Sequence, residues 1–389
     1  MNKYIETRKH KEDKPVVAIC YDFDKTLSPT DMQAQGFIQS VGYDASRFWD
    51  KSNALAENND MDQNCAYMYT MKETAEGQVL FTRKKLLEYG ASVKLFNGVK
   101  DWFGRIREYG KSRGVIVEHY IISSGLKEMI EGTPVANEFE KIYASSFYFN
   151  DKEVAVWPAQ VVNYTNKTQF LFRIQKGTLN INDPGVNDSF SPEDIRVPFR
   201  NMVYIGDSDT DIPCMKLVNA NGGHSIAVYN PETGDKTRVY KMMREDRIKY
   251  YAAADYSEGL ELDLLIKSII DRTASNEKLE SVHINQLKEQ RKNDASQSEE
   301  DRLKNELLTA LENSYNYAST HTIVYKMQVI RAWTEQQKEE LFNIALNNSQ
   351  VRGVLLDSDV KSMYCRLLED SKSLSDNARK IKEIIESTN

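Results

Sequence analysis

The sequence is short of the features that mark secreted, disulfide-framed or membrane-embedded chains. Its 389 residues include four cysteines, Cys20, Cys65, Cys214 and Cys365, far apart and without CxxC spacing. That pattern excludes a disulfide frame or a zinc site read from spacing and implies free thiols of a reducing compartment. No apolar run approaches the ~20 residues that a membrane span requires. The opening MNKYIETRKHKEDKP is polar and lacks the apolar segment of a signal peptide. The expectation is a soluble, cytoplasmic protein with no membrane partner. Basic excess is missing too: 51 Lys and Arg stand against 58 Asp and Glu, a net charge of −7. This balance offers no field for nucleic acid, so a phosphorylated ligand would need a local positive site or a metal. Neither an internal repeat nor a long coiled coil is present.

What is there is organised around Val16 to Leu27, V-V-A-I-C-Y-D-F-D-K-T-L. A continuous apolar run rich in β-branched residues ends in two aspartates one residue apart. Such a run reads as a strand buried on both faces of a parallel sheet. Open α/β sheets place chemistry at the carboxyl ends of their strands, which is where Asp22 and Asp24 leave. Ser28-Pro-Thr-Asp31 breaks the strand, and from there to about Val99 the pattern is helical throughout. Three further runs follow: V-I-V-E-H-Y-I-I ending at Ser123-Ser124-Gly125, Ile142 to Phe149 with a hairpin partner at Val154 to Trp157, and M-V-Y-I before Gly206-Asp207-Ser208-Asp209-Thr210-Asp211. Leu126 is expected to restart a helix, and Lys167 to open another. Residues 177–200 read as a long loop. Short strands are expected at Ser225 to Tyr229 and Tyr250 to Ala254, and Leu260 to Ile270 as a closing helix. Strands alternating with helices predict a doubly wound parallel α/β sheet.

Four polar clusters therefore occur in order: D-F-D-K-T at 22–26, I-I-S-S-G at 121–125, Lys167 at a helix start, and G-D-S-D-T-D at 206–211. Together they resemble the haloacid dehalogenase (HAD) superfamily, whose signature is DxDxT, a strand-ending Ser or Thr, a Lys and GDxxxD. The match spans residues 16 to about 270. A lone DxD carries little, since Asp357-Ser-Asp359 repeats it and reads better as a helix start.

The resemblance implies a Mg²⁺-dependent phosphomonoester hydrolase acting on a small phosphorylated metabolite through an aspartyl-phosphate. Asp22 would be the nucleophile and Asp24 the acid and base. The metal would be held by the Asp22 carboxylate, the Asp24 backbone carbonyl and Asp207, with Asp211 in support. Lys167, Ser123 and the backbone at Ser124 and Gly125 would meet the phosphoryl group. The presence of Asp24 argues against a dehalogenase. The helices of 30–97 resemble the C1-type cap of phosphoserine-phosphatase-like members. The implied organisation is a Rossmann-like core at 1–29 and 98–273, the cap at 30–97, and a linker and helical region at 274–389. Arg47, Trp49, Arg83 and Lys84 are candidate specificity residues of the cap. His119 and His224 read as structural. Residues 274–301 are charge-dense, as a linker or solvated helix would be. Beyond them Leu303, Leu307 and Leu311 mark an amphipathic stripe, and Thr334 with Gln337 a capping box. That region is expected to pack or dock, as a homodimer or with a protein partner. The alternatives are phosphotransfer through the same intermediate, or a core that anchors a partner-binding region.

Overall fold

A computed structural model describes residues 11–294, 299–330 and 332–387. Residues 1–10 of the polar N-terminus and 295–298 of the charge-dense stretch lie outside it. Seven strands make one sheet in the order β4-β3-β2-β1-β5-β6-β7: β1 (Val16–Tyr21), β2 (Ile116–Leu126), β3 (Lys141–Phe149), β4 (Ala155–Gln160), β5 (Met202–Gly206), β6 (His224–Tyr229) and β7 (Tyr250–Ala253). All pairings are parallel except β3 with β4, the predicted hairpin. The chain leaves β1 toward β2 on one side and returns to β5 on the other. The strand order thus reverses between β1 and β5, where a crevice opens at the carboxyl ends.

The alternation along β1 shows why this run is apolar at every position. Val17, Ile19 and Tyr21 join one core, while Val16, Ala18 and Cys20 join the other. The first core packs against Trp102, Phe103 and Ile106 of α5 (Val99–Ser112), and the second against Phe170, Leu171 and Ile174 of α7 (Thr168–Lys176). Helices thus cover both faces, as a doubly wound sheet requires. Tyr21 carries the one polar tip on its face. Its hydroxyl accepts from Trp102 Nε1 at 2.8 Å and sits 3.0 Å from His119 Nδ1.

Between β1 and α5 the chain forms α1 (Phe37–Ser40), α2 (Ala45–Asn58), α3 (Gln63–Ala75) and α4 (Arg83–Ala91). Each of the last three starts at a polar cap: Asp44 accepts from the Arg47 amide, Asp62 from those of Asn64 and Cys65, and Thr82 from that of Lys85. Phe37, Phe48, Phe81 and Leu86 turn inward to the first core. After β2 come α6 (Lys127–Gly132), the helix α7, α8 (Ile212–Ala220) and α9 (Thr237–Arg244).

The closing helix runs further than its apolar residues indicate. It spans Glu261–Asp294 as α10, so residues 274–294 are helix and not linker. The chain divides into two compact units, Met1–Val282 and His283–Asn389. The second contains α11 (Glu299–Glu312), α12 (Tyr317–Gln328), α13 (Glu335–Asn347), α14 (Ser349–Gly353), α15 (Ser358–Glu369) and α16 (Asp376–Glu386). It has its own core, including Leu307, Leu311, Leu341, Phe342 and Tyr364. Leu303, expected on the same stripe, is 44% exposed. Thr334 and Gln337 form the reciprocal cap the sequence predicts. No described helix is long and apolar enough to cross a membrane.

Candidate active site at the carboxyl edge of the sheet

Four chain segments bring carboxylates, a lysine and hydroxyls together at the β1–β5 crevice. Asp22 is the first residue past β1, and its amide donates to Ile205 O at 2.9 Å, extending the β1–β5 ladder by one step. This fixes its side chain at the sheet edge, only 6% exposed. Phe23 then turns inward, and its carbonyl accepts from the amides of Thr26, Leu27 and Ser28. Lys25, at φ 58°, makes the turn tight. Asp24 is thereby presented to the same cavity. Its Oδ1 accepts from the Met32 amide at 2.7 Å.

Lys167 enters from the start of α7. Asn163 and Asn166 hold the turn before it: Asn163 Oδ1 accepts from the amides of Thr165 and Asn166, and Asn166 Oδ1 from that of Asn163. The ammonium is fully buried, 3.2 Å from Asp22 Oδ1 and 2.7 Å from Asp211 Oδ1. Asp211 is itself saturated. Its Oδ1 also accepts from the Tyr204 hydroxyl at 2.9 Å, and its Oδ2 from the Ser208 amide and hydroxyl at 3.3 Å each. Gly206 makes room for this, since a Cβ there would lie 2.4 Å from Asp211 Oδ2. Tyr204, two residues before the glycine, is a functional neighbour that no motif marks.

Ser123 is buried, and its hydroxyl accepts from the Gly125 amide at 3.1 Å. The helix expected at Leu126 begins at Lys127, and β2 continues through Leu126 with a register shift past Ser123. Ser123 is therefore not a helix cap, and the Gly125 amide is turned back onto its hydroxyl. Ser124 Oγ is buried without a protein partner. Gly125 packs close to the site: a Cβ would meet Met32 Cε at 2.6 Å and Asp24 Oδ2 at 3.0 Å, so those side chains would have to shift.

Asp22, Asp24, Ser123, Ser124, Gly125 and Asp207 all line one cavity of about 270 Å³. Lys167 and Asp211 lie beneath it. From the helical segment the cavity receives Asp31, Gln33, Trp49, Asn64 and Tyr67, whose hydroxyl donates to Ser124 O at 2.8 Å. Of the four candidate specificity residues only Trp49 is there. Arg47 lies over the Tyr43 ring and Arg83 over Phe149 beside Glu131, while Lys84 is exposed. Their charges are engaged or solvated elsewhere, which corrects that expectation. Asp31, Gln33, Asn64, Tyr67 and Arg238 have no sequence signal beyond their helical periodicity.

Burial raises Asp22 to about 6, against the opposing charge of Lys167. Burial and the carboxylates of Asp31 and Asp22 hold Asp24 well above the usual range. Asp207 is raised by burial and by Asp211 and Asp22. Burial alone would lower Lys167, but Asp211 and Asp22 outweigh it and hold the ammonium charged. Ligand oxygens of Asp22, Asp207 and Asp211 lie within 4.8 Å of one another. Three carboxylates facing one ammonium leave negative charge to spare, and Asp22 and Asp207, with hard oxygens toward the cavity, fit a divalent cation such as Mg²⁺.

No protein-family profile matches the sequence. An uncharacterized protein of Borreliella burgdorferi is 26% identical over 279 residues, covering 64% of this chain and 95% of its own. A HAD family hydrolase from Salmonella enterica serovar Typhi superposes with a TM-score of 0.43 at 15% identity, over 67% of this chain and 73% of that one. A phosphoserine phosphatase caught as a phospho-aspartyl intermediate analogue gives 0.39 at 14%, over 66% and 99%. A probable phosphoserine phosphatase from Vibrio cholerae gives 0.43 at 12%, over 69% of each.

Proposed function

We propose that the chain is a HAD-type phosphomonoester hydrolase in which Asp22 attacks phosphorus and becomes transiently phosphorylated. The observation that carries this reading is the placement of Asp22 at the strand-order reversal, facing the cavity, with Lys167 3.2 Å behind it and Asp207 beside it. A carboxylate meets a phosphate dianion only where positive charge offsets both. Lys167 supplies one charge from beneath. A Mg²⁺ ion bound by Asp22, Asp207 and the Asp24 backbone carbonyl would supply the rest by drawing charge from the phosphoryl oxygens. Asp211, with both oxygens already accepting hydrogen bonds, serves by holding Lys167.

The steps at the protein's own atoms are then a pair of displacements. An Asp22 oxygen forms the bond to phosphorus as the ester oxygen leaves. Asp24, whose carboxyl burial and the neighbouring carboxylates hold above its usual range, gives that oxygen its proton. Oδ1 is anchored by the Met32 amide, so Oδ2 is the oxygen that carries the proton. Asp24 then takes a proton from a water molecule that displaces Asp22 from phosphorus, restoring the carboxylate. The Ser123 hydroxyl and the backbone at Ser124 and Gly125 line the phosphoryl position. The helices of 30–97 act as a cap, closing the cavity over a small substrate and excluding bulk water.

The test is phosphate release from a generic aryl phosphate, in Mg²⁺ and in EDTA, for wild type and Asp22→Asn. Turnover that needs the metal and is lost in the variant supports the reading. Turnover surviving Asp22→Asn rejects Asp22 as nucleophile.

A further inference from the structure

We propose that the leaving alcohol of the substrate carries a second anionic group, held by Arg238 in a side cavity opening from the phosphoryl site. This deepens the hydrolase reading and rests on it. Beside the site cavity lies a second one of about 260 Å³, walled by Tyr229, Asn230, Thr233 and Val239. The two share Lys25, Asp207 and Arg238, so a molecule seated over Asp22 and Asp207 can extend from one into the other.

Charge decides what that extension carries. Lys25 and Arg238 are the cations lining the site cavity among the described residues. Lys25 is committed to Asp31 at 2.8 Å. Arg238 is held more loosely: its side chain is 56% exposed, and it pairs with Asp207 at 3.6 Å, an ion-pair distance beyond hydrogen-bond reach. The other acid on that wall, Asp235, accepts from the Thr237 amide at 2.9 Å and also feels the Arg238 charge. Toward the helices of 30–97 the cavity offers Asp31, Gln33, Asn64 and aromatic rings, and no cation. An anionic tail meets no positive partner in that direction and is attracted toward Arg238. The planar guanidinium presents paired donors that match a carboxylate or a phosphate.

The test uses inert phosphonates in Mg²⁺, so that binding is read without turnover. Carboxyethylphosphonate and propylphosphonate have similar length and differ in the charge of the tail; a bis-phosphonate of the same chain length separates a phosphate tail from a carboxylate one. Titration calorimetry on the wild type should show at least one charged tail binding tenfold or more tighter than propyl. Arg238→Gln should remove most of that preference, and Arg238→Lys should keep part of it. Equal affinities in the wild type, or a preference unchanged in Arg238→Gln, overturn the inference while phosphate release still stands. Absence of binding by all three, together with no phosphate release from any ester, overturns the hydrolase reading and this inference with it.

Discussion

Lys167 reaches Asp211 across 2.7 Å with both side chains fully buried. Such a pair contributes little net stability relative to apolar residues of the same volume, but losing one partner strands the other's charge. Here two carboxylates, Asp22 and Asp211, would be stranded. Lys167→Met is expected to destabilise the chelated protein by about 3–5 kcal/mol. Denaturant unfolding in EDTA measures this, and the loss should shrink in Mg²⁺, which supplies the missing charge. A midpoint unchanged in EDTA would show that the lysine does not hold these acids.

Metal binding should itself stabilise the fold. Asp22, Asp207 and Asp211 converge only in the native state, since they come from two segments almost 190 residues apart in sequence. At about 100 times its dissociation constant, a cation bound to the native state alone adds about 2.7 kcal/mol. Thermal melts should therefore rise with Mg²⁺. Asp207→Asn should abolish most of that rise while leaving the metal-free midpoint equal or higher, because burial and two like charges oppose its ionisation. A rise retained in the variant would place the cation elsewhere.

The sequence made the core of this site legible because its signals are local. A continuous apolar run ending in acid or hydroxyl is visible at Asp22, at Ser123 and before Gly206. The start of α6 was less legible, since the turn of the Gly125 amide onto Ser123 Oγ keeps β2 extended to Leu126. Composition left two readings open at 274–294, linker or solvated helix; Glu, Lys, Gln and Arg are good helix formers, and α10 simply continues. The cavity's other residues were hidden for a different reason. Periodicity along α2 and α3 reports burial and not what a side chain is buried against. Tyr67 thus reads as core and is core, at 4% exposure, yet its hydroxyl reaches Ser124 O. Arg238 lies 213 residues from Lys25, and only the fold shows that they share a cavity wall.

Glu128 is an apolar-site carboxyl with a measurable pH signature. One oxygen accepts from the Phe147 amide at 3.2 Å, and the other is buried without a protein partner. Burial raises it from 4.5 to about 7. The native state therefore keeps a proton that the unfolded chain releases near 4.5, and stability declines as pH rises from there to about 7. Glutamine keeps the acceptor for Phe147 and never ionises. Glu128→Gln should match wild type near pH 4 and exceed it above pH 7 by on the order of 2–3 kcal/mol. An advantage independent of pH would mean that the carboxyl is solvated in the native state.

In the C-terminal unit, His321 sits between two carboxylates at the start of α15, with Nδ1 2.7 Å from Asp359 Oδ2 and Nε2 3.2 Å from Asp357 Oδ2. With an acceptor at each nitrogen, the doubly protonated ring is the form that satisfies both contacts. The bond to Asp359 raises the imidazole above its ordinary value, and burial opposes it less. For Asp359 burial acts upward, but the bond from His321 prevails and lowers it. The two shifts bound a window. The imidazole's contribution is complete below its ordinary value of about 6.5 and is lost as pH rises through the raised native value. The carboxylate's contribution is complete above its ordinary value of about 3.9 and is lost as pH falls through the lowered one. The tie between α12 and α15 should thus be firmest in mildly acidic solution. A proton NMR titration should place the His321 imidazole above about 6.5, and Asp359→Asn should bring it down. Hydrogen exchange in α12 and α15, compared between wild type and His321→Gln at each pH, should differ at pH 5.5 and converge by pH 9. An imidazole titrating at or below the ordinary value, or a difference that persists at high pH, would show that the ring is held by packing and not by its charge.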